Sequence, residues 1–416
     1  MNPALNQRPE NTLDAAPGCS AEARLILLAA SVGDLESRRV RAESLCSENL
    51  DWDYLEKIAM ANGMAAALID FVKPFAEEFA GQPGYGTLKQ RYYETVAHNL
   101  RLKEELLALL AFFETEAVDV MPLKGPVLAA ELYPGLAHRA IWDLDLLVEE
   151  RDVLRVHSLL ESRGYTPEIE MTESELRGHL EADCEVNFDS ADGQIHVEIH
   201  WNILPSFLGS KLDGPYVWNR RVEADFEGQK TWALPPEELL LYLCMHGGEK
   251  HQWSALKWVA DVARLLARYP ELDFDRARAE AARLGLTRSF RLGLYLARVL
   301  LDAPLPEKVS GDVLSGTTSA GLSGLVRGHL FRPDGGLPGY DEWCLYWRAE
   351  AEHRESLGVR EASTPARGAY YRSVLTPEWN DRVFVKGVRL PSPLLYFVRP
   401  WRLFRIHGSG LFKRTS

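Results

Sequence analysis

The chain has 416 residues, 46% hydrophobic and 26% charged, with a formal net charge of −13, a globular composition long enough for about two to three domains with cores of their own. No apolar run reaches the roughly 18 residues of a membrane span. The acidic balance disfavours general electrostatic attraction to nucleic acid or anionic lipid, which need a positive surface. Residues 1–20 lack the basic start and apolar stretch of a secretory signal and read as a disordered leader on a cytoplasmic protein. The five cysteines form no C-x-x-C pair and read as free thiols in a reducing compartment.

Residues 21–115 carry helical signals, with breaks at Gly33, Asn49, Gly63 and the Gly81 to Gly86 segment. The last helix, near Leu88 to Phe113, repeats leucine at 102, 106, 109 and 110. The pattern changes at 116. VDVMPLKG (118–125) is a short apolar run ending in Lys124-Gly125, GPVLAAELY (125–133) forms a helix with Pro126 in its first turn, and IWDLDLLV (141–148) is a strand. A helix at 150–163 follows, then two strands, CEVNFDS (184–190) and QIHVEIHW (194–201), joined at Ala-Asp-Gly as a hairpin. These define a mixed α+β unit at 116–232. Helices resume at Pro235 and near Ser254, giving a helical region at 233–305. Residues 308–340 are rich in Gly, Ser and Pro and read as loop. Within 306–416 a charged helix near 341–357 and a basic aromatic tail complete the chain. Arg382 to Ser416 holds eight Lys/Arg and no Asp/Glu. The tail is expected to wrap over the acidic body, the alternative being a peripheral contact with a membrane surface or RNA.

Asp143 and Asp145 stand two apart on one strand, so both side chains leave the same face. Carboxylates held that close repel unless a cation lies between them, and hard oxygen ligands suit Mg²⁺ or Mn²⁺. A D-x-D also occurs at solvated strand ends and in glycosyltransferases that hold nucleotide-sugars through a metal. Its surroundings add a third carboxylate, Glu198, on the polar face of a strand where Ile195, Val197 and Ile199 alternate with His196, Glu198 and His200. Upstream, Lys124-Gly125 leads into a helix N-terminus suited to phosphate. Nucleotidyl transfer needs this combination of metal, close backbone approach and cation.

Several residues admit two readings. Lys124 is a phosphate-binding cation or the polar end of a strand, and Arg139 a phosphate contact or a surface ion pair. His200 orients groups around the acids, ligates metal, or packs with Trp201. His246, His251 and Asp261 are spaced five and ten apart, which excludes one shared helical face, and their role, structural or nucleotide-facing, stays open.

The succession LKG (123–125), LYP (132–134), Arg139, DLDLLV (143–148), RGY (163–165), HVEIHW (196–201), His246, KH (250–251), Trp253, LKW (256–258) and Asp261 resembles the bacterial family often called nucleotidyltransferase family 5. Through it the chain resembles the DNA polymerase beta-like superfamily. That resemblance implies a mixed sheet flanked by N-terminal and C-terminal helical regions, with Mg²⁺ or Mn²⁺ held by Asp143, Asp145 and Glu198. It also implies an NTP, taken as ATP, contacted by Lys124, Gly125, Arg139 and His200, and transfer of NMP to an acceptor that is a small molecule, a peptide or protein, or an RNA. The chain departs from the superfamily at Gly125-Pro126, because proline has no N–H for a phosphate, and in having Glu198 where aspartate is common. The alternative is a nucleotide-binding module that keeps this fold without turnover.

Overall fold

The computed structural model describes residues 19–46, 49–75, 81–204, 212–332 and 396–398. The leader over 1–18, the charged helix near 341–357 and nearly all of the basic tail lie outside the described residues.

Four helices open the fold: α1 (Ala21–Ala30), α2 (Leu35–Cys46), α3 (Trp52–Ala61) and α4 (Ala65–Val72). Ser20 and Asp51 cap α1 and α3 by accepting from backbone N–H groups of their first turns. The long α5 (Pro83–Thr115) starts with proline in its first turn. The α+β unit follows in the order β1 (Met121–Pro122), α6 (Gly125–Leu132), β2 (Leu144–Leu147), α7 (Val153–Ser162), β3 (Thr166–Pro167), α8 (Glu173–Ala182), β4 (Glu185–Asp189), β5 (His196–His200) and α9 (Gly214–Arg220). A second hairpin, β6 (Val222–Phe226) and β7 (Gln229–Ala233), leads to α10 (Pro236–Met245), α11 (Leu256–Arg268), α12 (Phe274–Leu284), α13 (Thr287–Leu301), α14 (Glu307–Leu314) and α15 (Thr317–Leu330). Among the described residues no helix is long and apolar enough to cross a membrane.

The main sheet is mixed, in the order β1-β2-β5-β4-β3, with β2 and β5 parallel and the other neighbours antiparallel. The expected α+β class with helices on both sides in sequence is therefore the observed one. Leucines 102, 106 and 109 of α5 bury against Leu144, Leu146, Val197 and Ile199 of the sheet, so the strand alternation leaves Asp145 and Glu198 to the other face. A second core joins the N-terminal helices to α10, α11 and α13, and Leu88, from the first half of α5, belongs to it. Asn62 bridges these helical regions: its Nδ2 donates to Ile58 O and Leu330 O, and its Oδ1 accepts from Leu256 N.

One expectation needs correction. The stretch from 308, read as loop, forms most of α14 and the whole of α15 up to Leu330. Val313, Leu322, Val326 and Leu330 fall at helical spacing and bury in the helical core, and that burial outweighs a cost of about 1 kcal/mol for each glycine inside a helix. His246 and His251, whose role the sequence left open, meet. Residues His246–Lys250 form a π turn, in which positions five apart are stacked instead of those three or four apart, and His251 N donates to His246 O at 3.1 Å.

Candidate active site

The parallel register of β2 and β5 sets Asp145 beside Glu198. Asp145 is 2% exposed, and Lys124 Nζ stands 2.8 Å from its Oδ1. His200 bridges the acids, with Nε2 3.3 Å from Asp145 Oδ1 and 3.2 Å from Glu198 Oε2, and Nδ1 3.3 Å from Glu185 Oε2. Glu185 in turn is bound by Lys250 Nζ at 2.9 Å. The floor of the site is thus a buried line of alternating charge running from Lys124 to Lys250.

Each group's ionisation follows from its neighbours. Burial alone would raise the Asp145 carboxyl, but Lys124 and then His200 hold it well below the usual range. Burial would lower His200, yet Glu185 and then Asp145 push it well above an ordinary histidine, so it is cationic. Against burial, Lys250 and His200 hold Glu185 at about 2. Asp143 lies just before β2, where burial and then Asp145 push it up to about 6.

Asp143 and Glu198 line a pocket together with Lys124, Trp142, Lys250 and Lys257. Asp145 lies beneath them. Asp145, Glu198 and His200 bring two carboxylate oxygens and a ring nitrogen within 4.8 Å of one another, and the ring becomes a ligand only on losing its proton; Asp143 stands outside that compact set, at the pocket wall. Lys124 and His200 both approach Oδ1 of Asp145, whereas Oδ2 has no donor. A buried carboxylate oxygen without a donor, with a second carboxylate alongside, fits a divalent cation.

Around this floor the backbone is arranged for close approach. Gly125, at the start of α6, has φ 67°, a left-handed conformation that a side chain would strain. Gly247 in the π turn sits so close under Trp253 that a Cβ would come within 2.5 Å of the ring. Gln252 and Trp253 are themselves left-handed, with φ 47° and 55°, and this tight turn presents Lys250 and His251 to the pocket. His251 stacks on Trp258 at 4.4 Å, and its Nε2 is 3.2 Å from His246 Nε2.

The structure thus brings together Lys124, Asp143, Asp145, Glu198 and His200. It places Arg139 at the pocket edge with its fork turned away: Nε and Nη2 donate to Asp261 Oδ1 and Oδ2 at 2.9 and 3.0 Å, and Tyr133 donates its hydroxyl to the same Oδ1 at 2.6 Å. The pair is buried, not the surface ion pair considered from sequence. His196 leans outward, its Nδ1 2.9 Å from Asp189 Oδ1. Sequence reasoning missed Glu185, Lys250 and Lys257. The two lysines lie inside the KH and LKW motifs, and Glu185 lies on the neighbouring strand opposite His200, so a signal existed but no partner could be assigned to it.

The family described as uncharacterised nucleotidyltransferase matches residues 48–302 of the chain. A solved nucleotidyltransferase-like antigenic protein from Paracoccidioides brasiliensis is similar at 16% identity over 49% of this chain and 93% of that chain, with a TM-score of 0.29, too loose a likeness to place any residue. None of the curated proteins matches.

Proposed function

The chain belongs to the uncharacterised nucleotidyltransferase family, and from that premise we propose that it transfers NMP from an NTP, taken as ATP, to an acceptor with release of pyrophosphate. The observation that carries this reading is Asp145: buried, ionised, with Oδ2 lacking a donor, and beside Glu198, which lines a pocket bordered by basic side chains. Asp143, Asp145 and Glu198 would hold Mg²⁺ or Mn²⁺, with His200 alongside. Such an ion neutralises phosphate charge and activates the attacking oxygen.

The chain's own groups have separable tasks. The acceptor oxygen forms a bond to the α-phosphorus while the bond from that phosphorus to the bridging oxygen of pyrophosphate breaks. Glu198, on the pocket wall, takes the acceptor's proton. His200 fixes Glu198 and Asp145 relative to each other. Gly125 admits phosphate oxygens close to the backbone, and Pro126 leaves that turn one donor short. Arg139, clamped by Asp261, holds the segment that delivers Asp143.

One observation favours the second reading, a binding module without turnover: the Lys124 ammonium already lies 2.8 Å from Asp145, where it balances the charge that a metal would balance. The deciding experiment incubates the protein with each α-labelled NTP and Mg²⁺ or Mn²⁺ in host extract. A labelled product that is lost in Asp145→Asn supports transfer; nucleotide binding without any labelled product or pyrophosphate favours the module.

A further inference from the structure

Lys124, Arg139, Lys250 and Lys257 all border the pocket, and three of them are committed to carboxylates. Lys124 pairs with Asp145, Arg139 with Asp261 through two nitrogens, and Lys250 with Glu185. Lys257 differs. It is 9% exposed, and among the described residues its Nζ makes no ion pair and no hydrogen bond. The ammonium instead lies 4.2 Å from the centre of the Trp258 ring and 5.9 Å from that of Trp142, contacts that offset only part of the cost of a buried charge. Burial and then the nearby Arg139 lower it to about 7, which the more distant Asp143 and Asp261 offset only in part.

Its position is set by the meeting of the two helical regions. Lys257 N donates to Asn62 O, Leu256 N to Asn62 Oδ1, and the lysine stem packs over Gly63, whose added Cβ would come 3.0 Å from Lys257 Cδ. The stem is therefore held against the N-terminal helices while its head enters the pocket on the side of Asp143 and Trp142.

We propose that Lys257 is the residue that binds the polyphosphate of the incoming nucleotide, in place of Lys124 and Arg139. This rests on the reading of the pocket as an NTP site and deepens it by assigning the anion's partner. The β- and γ-phosphates supply the counter-charge that Lys257 lacks, whereas recruiting Lys124 or Arg139 would strip a buried carboxylate of its partner. Trp142, 57% exposed, remains beside the bound chain of phosphates as an open aromatic surface.

The test is calorimetric titration of the full chain, wild type, Lys257→Met and Lys257→Arg, with Mg²⁺ and four ligands: a non-hydrolysable ATP analogue, ADP, AMP and inorganic tripolyphosphate. In the wild type, affinity should rise from AMP to the triphosphate. Lys257→Met should lose about ten- to hundredfold for the ATP analogue and tripolyphosphate, the range for a hydrogen bond to a charged group, with AMP unchanged within about twofold, and Lys257→Arg should recover most of the loss. Methionine removes an uncompensated buried charge at similar volume, so a melting temperature at or above wild type is expected and separates lost binding from lost folding. Equal triphosphate affinity in wild type and Lys257→Met overturns the proposal and leaves the NTP site standing, and so does an equal loss for AMP. Tripolyphosphate binding that depends on Lys257, with no nucleotide binding, keeps the lysine as a polyphosphate anchor and removes the NTP reading. No binding of any ligand by the wild type overturns both.

Discussion

Lys124 and Asp145 form an ion pair, Nζ to Oδ1 at 2.8 Å, with both side chains almost wholly out of solvent. A buried carboxylate of this kind is stable only while some cation is at hand, and removing one partner of a buried pair typically costs about 3–5 kcal/mol. Lys124→Met should therefore lower the melting temperature in chelator. Millimolar Mn²⁺ should narrow the gap from wild type, since a bound ion replaces the missing charge. A gap that Mn²⁺ leaves unchanged would count against metal at Asp145.

Asp143 illustrates stability given up for a site. Burial and then Asp145 push it up to about 6, so at neutral pH it is still mostly ionised, at a cost to the metal-free fold relative to the unfolded chain. Asp143→Asn should raise metal-free stability by on the order of 1–2 kcal/mol while abolishing transfer. Denaturant unfolding in chelator reads the first effect and labelled-NTP turnover the second; a destabilised variant would show that the carboxylate has structural partners beyond those seen.

Glu198→Gln tests the proton acceptor. The amide keeps the shape and the contact with His200 but accepts no proton. The expected loss in kcat is about 10²-fold or more, with weaker metal binding. A variant that turns over at the wild-type rate would take Glu198 out of the chemistry.

The Arg139–Asp261 pair predicts a coupling. Asp261→Asn should cost several kcal/mol, on the scale of about 3–5 for a broken buried pair, and should displace the segment leading to Asp143. Arg139→Met combined with Asp261→Leu should recover much of that loss, because it removes both charges. Double-mutant analysis of unfolding midpoints measures the interaction; simple additivity would contradict the buried clamp.

His246 and His251 give the fold a pH signature. Burial, then Lys124, holds both well below an ordinary histidine, so both are neutral in the fold while the unfolded chain takes up protons near about 6.5. Between those two values the unfolded state binds more protons. Stability contributed by the pair is therefore present above about 6.5 and falls as pH drops below it, by up to about 1.4 kcal/mol per pH unit for each group. Asp143 and His200, both raised, act in the opposite direction, so the informative quantity is the difference between wild type and a His246→Gln, His251→Gln double variant. That difference should shrink from pH 7 to pH 5. A pH-independent difference would mean that the rings are not neutral partners.

What could be read from the chain was the part governed by local spacing. Alternation along residues 194–201 placed Val197 and Ile199 in the core and Glu198 on the opposite face, as the burial of those two residues shows. The Pro-Pro-Glu-Glu start of α10 and the leucine repeat of α5 were legible for the same reason, because strand and helix periods are properties of the backbone. Where the backbone leaves those periods, spacing could not pair residues: the π turn at His246–Lys250 joined two histidines that a 3.6-residue repeat keeps apart. In α14 and α15, glycine content misled because long-range burial of Val313, Leu322 and Val326 outweighs local propensity.

The partners of the charges lay beyond sequence altogether. The chain by itself determined that an aspartate and a glutamate stand on strands with a second aspartate two residues from the first, that a glycine turn precedes a helix, and that several Lys, Arg and His residues accompany them. Only the tertiary structure decided that the parallel β2–β5 register sets Asp145 beside Glu198, that Arg139 belongs to Asp261 and Lys124 to Asp145, and that Lys257, among the described residues, lies against two tryptophan rings without an ion pair. The reason is physical. Side-chain direction repeats with the backbone and can be read from spacing, whereas the pairing of buried charges depends on which surfaces exclude water from one another, and that is settled when the sheet and the two helical regions pack.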